Sequence, residues 1–346
     1  MNEMGWTERL RPYISLMFAI IASFTVGAFL LWILGINPLR AYQVLFEAGL
    51  GKLGITQTLI KMTPLLMISA GLMIVLSAGI WNLGEDGQFL IGAILVGVAA
   101  PIINAYLPKI PALLILGMIG FLGGAAWAII PAVLRIWYGL NEIITTIMTD
   151  YLAIYLTSWL VKGPFRDPSV IPPQTPVIPL VRRIPQIWGG VHIGLIIGVV
   201  AVLGVHFLMR NSTIGWKILV VGKSIKTAVH TGIPVARLSM MAFLLSAGFA
   251  GLAGANGVLG VKGLFQGDWN PAYGFTAFAL VYMARFKGGT VIFLAYFFSF
   301  LLLGGQMMSL RLGTPVFFVT ILEGLMLIFF VVNEYLFQHV LERRRS

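Results

Sequence analysis

LIKMTPLLMISAGLMIVLSAG, residues 59 to 79, and QFLIGAILVGVAAPIINAY, residues 88 to 106, are two apolar runs that decide the class of fold. Each is close to the length of about 20 apolar residues that an α-helix needs to cross a bilayer. Only a short polar stretch separates the two runs, so the chain crosses the bilayer, turns and crosses again. The pair predicts an all-α, polytopic membrane protein.

The composition of the whole chain also favours a membrane environment. Apolar residues make up 59% of the 346 residues, charged residues make up 10%, and the mean hydropathy is +0.94. Soluble domains carry about 25% charged residues, so most of this surface must face lipid. The net charge of +11 is explained by basic loops beside anionic lipid headgroups and does not indicate a nucleic-acid partner.

Apolar runs along the rest of the chain predict about ten transmembrane helices in a single domain, residues 1–346. The runs are 12–34, 59–79, 88–106, 112–134, 143–161, 191–209, 238–258, 273–284, 290–308 and 316–337. The eighth run is too short to cross a bilayer unaided. The first run lacks a small-residue cleavage site, so it is predicted to be an uncleaved helix.

The basic residues set the predicted orientation. The segment 210–237 holds Arg210, Lys217, Lys223, Lys226 and Arg237, and the tail ends in Arg343, Arg344 and Arg345. Lys and Arg concentrate in cytoplasmic loops, so both termini and this segment are predicted to be cytoplasmic, in the plasma (inner) membrane. The proline-rich segment 162–189 is then an extracellular loop, and its prolines predict an extended connection.

Glycines at three- or four-residue spacing predict close packing between helices. They are Gly120 and Gly124 in the fourth run, Gly190, Gly194 and Gly198 in the sixth, and Gly248, Gly251, Gly254 and Gly257 in the seventh. Small residues at this spacing allow helix backbones to approach closely in a bilayer.

Sites for catalysis, metal or nucleotide are not indicated. There is no cysteine, and His192, His206, His230 and His339 show no metal-ligand spacing. Gly222-Lys223-Ser224 is similar to the end of a phosphate-binding loop, but Lys217 stands where that loop needs its first glycine. The chain is therefore predicted to bind no cofactor, and any ATP must be bound by a partner.

The same segment predicts a short helix. Ser224 can cap a helix over 225–231, and Gly232 followed by Pro234 ends it. Such a basic helix between two spans is either a docking element for a partner protein or an ordinary basic loop, and the residues alone leave both interpretations open.

Four stretches resemble one family. VGKSIKTAVHTGIPVARLSMMAFLLSAGFAGLAGA, residues 221 to 255, resembles the cytoplasmic loop and following helix of the branched-chain amino acid and simple-sugar permease family of ABC importers. SAGIWNLGEDGQFLIG (77–92), LNEIITTIMTDYLAIYLTSWLVKGPFRDP (140–168) and GFTAFA (274–279) resemble its nucleoside and simple-sugar branch. Together these stretches are spread over most of the chain from about residue 59 onward.

The resemblance implies a function and a set of partners. It implies the permease subunit of an ABC importer that moves a small polar solute by alternating access, a nucleoside first, a simple sugar next, then riboflavin or another ribosyl compound. It also implies a second permease, identical or homologous, an extracellular solute-binding lipoprotein, and a separate ABC ATPase that binds ATP and Mg. The ATPase would dock at Lys223, Ser224, Ile225, Lys226, Ala228, Val229 and Gly232.

The fifth run carries a polar stripe that is a candidate solute pathway. Its members are Asn141, Glu142, Thr145, Thr146, Thr149 and Asp150. Residues four apart in a helix lie on one face, and polar groups inside lipid must face a cavity or one another. The stripe therefore either lines the pathway or forms a buried hydrogen-bond seam between helices.

Two glycine-containing breaks, 81–88 and 267–274, complete the candidate site. The span count places them on opposite faces of the membrane. They are either the broken helices of a weak inverted repeat or two ordinary turns. Asn82, Glu85 and Gln88 can hydrogen-bond a sugar or a base, and Phe275 can stack on one.

Two other classes of function stay open at this stage. An ion-coupled secondary transporter needs intramembrane carboxylates that titrate, and Asp150 and Glu323 are its candidates. A membrane-embedded enzyme needs a convergent polar site near one interface. Loss of transport on removal of an ATPase partner separates the importer from both.

Overall fold

The computed structural model describes residues 6–345, with side chains described for 14–51 and 53–336. It is mainly helical, with very little sheet. The helices are α1 (Trp6–Ile33), α2 (Pro38–Leu50), α3 (Lys52–Ser77), α4 (Glu85–Tyr106), α5 (Lys109–Trp127), α6 (Ile129–Tyr138), α7 (Glu142–Lys162), α8 (Gly194–Asn211), α9 (Thr213–Lys223), α10 (Ile225–His230), α11 (Val235–Asn256), α12 (Tyr273–Met283), α13 (Gly288–Leu312) and α14 (Phe318–Arg345). Two short antiparallel strands, β1 (Gln186–Trp188) and β2 (Val191–His192), form a hairpin.

Hydropathy predicted the membrane spans correctly. Within residues 6–345, nine helical segments are long and apolar enough to cross a bilayer. They correspond to nine of the predicted runs, and the remaining run, 273–284, is the 11-residue helix α12. The chain is therefore a polytopic all-α membrane protein. His339 and the arginines at 343–345 lie outside the residues whose side chains are described.

Contacts divide the chain into two compact units, Met1–Thr58 with Phe297–Ser346, and Leu59–Tyr296. In the first unit α1 packs against α14. Asn37 caps the start of α2, because its side chain accepts hydrogen bonds from the backbone nitrogens of Leu39 and Arg40. The Tyr42 hydroxyl donates to the Phe24 carbonyl at 2.6 Å and ties α2 to α1.

The second unit is built around α4, α5 and α11, which approach through glycine. A Cβ atom on Gly251 would lie 2.9 Å from the Gly124 Cα, and one on Gly92 would lie 2.8 Å from the Gly251 carbonyl carbon. These backbones can touch only because no side chain intervenes. The predicted seam between these helices is confirmed, whereas Gly190 lies in the β1–β2 turn and not in α8.

The proline-rich connection after α7 is not an α-helix, as predicted: turns and bends occupy much of 163–172, and an extended stretch follows up to the 3₁₀ turn over Leu180–Arg182. It pairs with the chain that follows α11 and its π-helical turn, Gly257–Lys262. The Thr175 nitrogen donates to the Phe265 carbonyl at 2.9 Å, and the Ile178 nitrogen donates to the Gly263 carbonyl at 2.7 Å. This pairing fixes the segment that leads into α12.

Candidate functional site

Helix α10 has the form that the sequence predicts. The Ser224 hydroxyl accepts the Thr227 backbone N–H at 3.2 Å and caps the helix. Ala228 is fully buried, whereas Ile225 and Val229 are 55% and 61% exposed. The helix therefore rests on Ala228 and presents apolar side chains outward.

Ala228 holds α10 to its own chain. It packs with Val221 and Ile233 in a small hydrophobic cluster. Beside this cluster lies a pocket of about 290 Å³, whose lining includes the basic residues Arg135, Lys223 and Lys226. Gly232, at φ +72°, ends the helix in the left-handed conformation that glycine favours. The result is a short element with an apolar outer face and a basic rim.

The polar stripe of α7 accepts hydrogen bonds from the backbone of the break 81–88, which leads into the first turn of α4. The Trp81 nitrogen donates to Glu142 Oε1 at 3.5 Å, the Leu83 nitrogen donates to Thr146 Oγ1 at 3.2 Å, and the Gly87 nitrogen donates to the Asp150 carboxylate. The three acceptors are four residues apart, on one face of α7. This is the arrangement of the hydrogen-bond seam that the sequence left open as an alternative.

The other members of the stripe bond within α7. The Asn141 side chain accepts the Ile143 N–H at 2.9 Å as the helix cap. The Thr145 hydroxyl donates to the Asn141 carbonyl at 3.3 Å, and the Thr149 hydroxyl donates to the Thr145 carbonyl at 3.0 Å. A threonine hydroxyl that donates to the backbone carbonyl one turn earlier in its own helix has a hydrogen-bond partner and needs none from another helix.

Asn82, Glu85 and Gln88 form one fully buried cluster. The Asn82 amide nitrogen donates to Glu85 Oε1 at 2.8 Å and to Gln88 Oε1 at 3.0 Å. Ser246 of α11 donates to the same Glu85 oxygen at 2.7 Å. The structure therefore brings these three predicted site residues together, bonded to one another and to Ser246, which sequence reasoning missed.

The two breaks start near opposite ends of α7, since Trp81 contacts Glu142 and Asp268 contacts Lys162, and they meet at their inner ends. Asp86 Oδ1, in the first turn of α4, accepts the Gly274 backbone N–H of α12 at 2.7 Å. Counting spans gives the side on which each break starts but does not predict this contact. Asp86 was also missed, although a carboxylate in the first turn after Gly84 is a helix-start signal.

The segment that enters α12 is anchored at the Lys162 end of α7. Asp268 accepts hydrogen bonds from the Lys162 ammonium and the Ser158 hydroxyl, both at 2.9 Å. Both hydrogen bonds hold the pKa of Asp268 below its ordinary value, and the bond from Lys162 has the larger effect. The next residue, Trp269, packs edge-on against Phe89 of α4 with ring centroids 5.5 Å apart.

Beside this anchor is a pocket of about 180 Å³ between α4, α7 and the entering segment. Its lining includes Tyr155, Phe265, Asp268, Trp269 and Asn270. Aromatic faces next to carboxylate and amide groups can stack on a ring and hydrogen-bond to hydroxyls.

Phe275, the last predicted pathway residue, lies on α12 and is 44% exposed. Within the described residues, no group of three or more His, Cys, Asp or Glu is placed to hold a metal ion.

A family model described as "Branched-chain amino acid transport system / permease component" matches residues 54–338. The chain is 30% identical over 333 residues to the glucose ABC transporter permease protein TsgB13 of Haloferax volcanii, across 92% of this chain and 87% of that protein. It is 26% identical to the guanosine ABC transporter permease protein NupP of Bacillus subtilis, across 98% of both chains. It is 25% identical to the nucleoside ABC transporter permease protein NupB of Lactococcus lactis, across 98% of this chain and 96% of that protein. No solved structure gives a significant match.

Proposed function

This chain belongs to the family of branched-chain amino acid transport system permease components, and on that premise we propose that it imports a nucleoside or a simple sugar. It is the membrane-spanning permease subunit of an ABC transport system. In the proposed assembly it works with a second permease, an ATPase pair and an extracellular solute-binding lipoprotein. Both termini and α10 face the cytoplasm.

The observation that carries the proposal is the outward face of α10. Ile225 and Val229 are exposed on a helix too short to be a span, and Lys223 and Lys226 flank them. Exposed apolar side chains with a polar rim are the form of a protein interface. An ATPase that binds this face can move α10, and the packing of the buried Ala228 would transmit that movement to α9 and α11.

The solute class is supported by the pocket beside Asp268 and by the relatives. Of the three relatives described above, two are named for guanosine or nucleosides and one for glucose. All of these solutes carry a sugar ring with several hydroxyls. A nucleoside also has a flat base, which suits a pocket lined by Tyr155, Phe265 and Trp269. The nucleoside is therefore the first candidate and the simple sugar the second.

The rival, an ion-coupled transporter, would use Asp150 as a titrating carboxylate. In this structure Asp150 accepts a backbone N–H from Gly87 in the first turn of α4. That position favours a structural role, because a carboxylate stabilises the positive end of a helix.

The test is uptake of labelled guanosine, uridine, glucose and ribose by cells that lack this chain, with and without a restored copy. A second strain carries the restored copy and an ATPase partner that cannot hydrolyse ATP. Loss of nucleoside uptake in both the deletion and the ATPase-disabled strain supports the proposal. Loss of sugar uptake alone selects the second candidate, and uptake that persists without ATP hydrolysis contradicts the importer.

A further inference from the structure

Helix α12 begins at membrane depth. Asp268 bonds to Ser158 of α7, whereas Gly274 reaches Asp86, whose neighbour Gly87 bonds to Asp150 of α7. Ser158 and Asp150 are eight positions apart, which is about 12 Å along a helix that rises about 1.5 Å per residue. The chain from Asp268 to Gly274 therefore descends roughly that far into the bilayer before α12 starts.

The descending segment is not helical, and part of it is exposed. The side chain of Asp268 is 73% exposed, and Asn270 and Ala272 are also exposed. Irregular backbone at membrane depth occurs only where it is buried in protein or lines a water-filled cavity. Exposed polar residues on such a segment indicate water, so this segment borders an aqueous path that opens at the Lys162 end of α7.

Both ends of α12 carry backbone strain. Among residues 6–345, the non-glycine residues with positive φ are Asp268 (61°), Ala272 (53°), Arg285 (50°) and Phe286 (60°). Two precede α12 and two follow it. L-residues avoid this conformation, and strained positions gather at segments that switch between states. Helix α12 lies between two strained segments and can therefore rotate as a rigid body about them.

Two elements hold the start of α12 through polar contacts. On α4, Asp86 accepts the Gly274 N–H and bonds to the backbone of Tyr273. On α7, Lys162 and Ser158 pair with Asp268, and this pairing is exposed to solvent and therefore weak. Asp86 is consequently the internal latch, because it is the half-buried side chain of another helix that caps α12.

We propose that α12 is the moving gate of the solute pathway, hinged at Asp268–Ala272 and Arg285–Phe286, and that Asp86 is the positioning residue that latches it. This rests on the proposed function, since a gate needs a pathway. Import by the unaltered protein is therefore established first, so that failure of import and failure of the gate are separate results.

The first experiment is a reversible disulfide across the latch. A Cβ on Gly274 would lie 3.0 Å from the Glu85 Cβ, near the 3.5–4.5 Å of a disulfide after a small shift. The chain has no cysteine of its own, so in the variant Glu85→Cys with Gly274→Cys the two introduced thiols have no other cysteine of the chain to pair with. Uptake is compared between the oxidised and the reduced form of the same variant, so the effect of replacing Glu85 is common to both, and we expect oxidation to lower uptake to the level of cells that lack this chain. Full uptake with the crosslink verified by mass spectrometry would overturn the gate.

The second experiment keeps the proposal testable if that pair fails to fold. Hydrogen exchange of 273–283 is measured in the complex with its ATPase for the unaltered chain, Asp86→Ala and Asp86→Asn. Asparagine keeps an acceptor oxygen, so we expect faster exchange in α12 for the alanine variant alone, with α11 unchanged. Equal acceleration in α4, α11 and α12 would mean a general structural role and would overturn the latch.

Discussion

Asp86 Oδ1 lies 2.7 Å from the Gly274 nitrogen, although 188 positions separate the two residues in the chain. Asp150 makes the corresponding contact with the Gly87 nitrogen. Each carboxylate thus serves a helix other than its own, Asp150 the first turn of α4 and Asp86 that of α12. Since a helix N-terminus carries a partial positive charge, both half-buried helix starts are neutralised by the protein itself and need no anionic solute.

The exposed face of α10 gives the sharpest prediction for coupling. Ile225→Asp with Val229→Asp places two charges on the outward face without touching the buried Ala228. We expect uptake to be lost and co-purification of the ATPase to fall, with membrane insertion unchanged. Ala228→Asp is the contrasting variant, because a charge in the Val221–Ile233 cluster should unfold the segment. Normal uptake by the double variant would remove α10 as the docking element.

The cap of α10 predicts a smaller effect. Ser224→Ala removes the acceptor for the Thr227 N–H, and loss of such a cap costs about 1 kcal/mol of helix stability. We expect weaker ATPase binding in a pull-down titration. Ser212→Ala is the matched control, since Ser212 caps α9 in the same way through Gly215. If both variants bind the ATPase equally, the cap of α10 has no special part in docking.

Hydropathy and cap signals thus predicted most of the architecture. Apolar length located the spans, and Ser224 with Gly232 located α10, because both are local properties of the chain. The meeting of Asp86 with Gly274 could not be predicted, since the length of an apolar run says nothing of the depth at which its helix begins. Asn82 was predicted as a pathway residue, yet composition cannot tell a polar group facing a solute from one facing Glu85.

The glycine seam predicts a stability difference between two similar substitutions. A side chain on Gly251 would collide with the backbone of Gly120 and Gly124. Overpacking a tight contact costs about 1–3 kcal/mol or more, so Gly251→Val should lower the melting temperature in detergent and the yield of folded protein. Gly204→Ala on α8 is the control, because nothing lies within 4 Å of its Cβ position. Equal melting of both variants would contradict the close approach.

The pairing of Lys162 with Asp268 predicts a particular pH profile. Because the folded-state pKa of Asp268 is lowered, its contribution to stability is present above the unfolded-state pKa of about 3.9 and is lost as the pH falls through the folded-state pKa. The melting difference between the unaltered chain and Lys162→Ala should therefore stay constant from about pH 8 to pH 5. It should also shrink at high salt.

Asp268→Asn is the control for that profile, since it removes the carboxylate at every pH. In its background Lys162→Ala should have little effect at any pH. A Lys162→Ala effect that changes between neutral pH and pH 5 would show that another group, and not Asp268, is the partner that titrates.

The ion pair between Arg135 of α6 and Glu142 of α7 gives a test of how the break at Trp81 is held. The Glu142 side chain is only 11% exposed, so Arg135→Ala would leave a nearly buried carboxylate without its cation. Breaking such a pair costs about 3–5 kcal/mol, and we expect a large drop in melting temperature. Glu142→Gln in the Arg135→Ala background should recover part of the loss, because the amide oxygen still accepts the Trp81 N–H without a charge to desolvate.

A double-mutant cycle measured by thermal unfolding gives the coupling energy between Arg135 and Glu142. Additive effects of the two substitutions would mean that the pair does not stabilise the break and that the hydrogen bonds to Thr146 and Asp150 hold it alone.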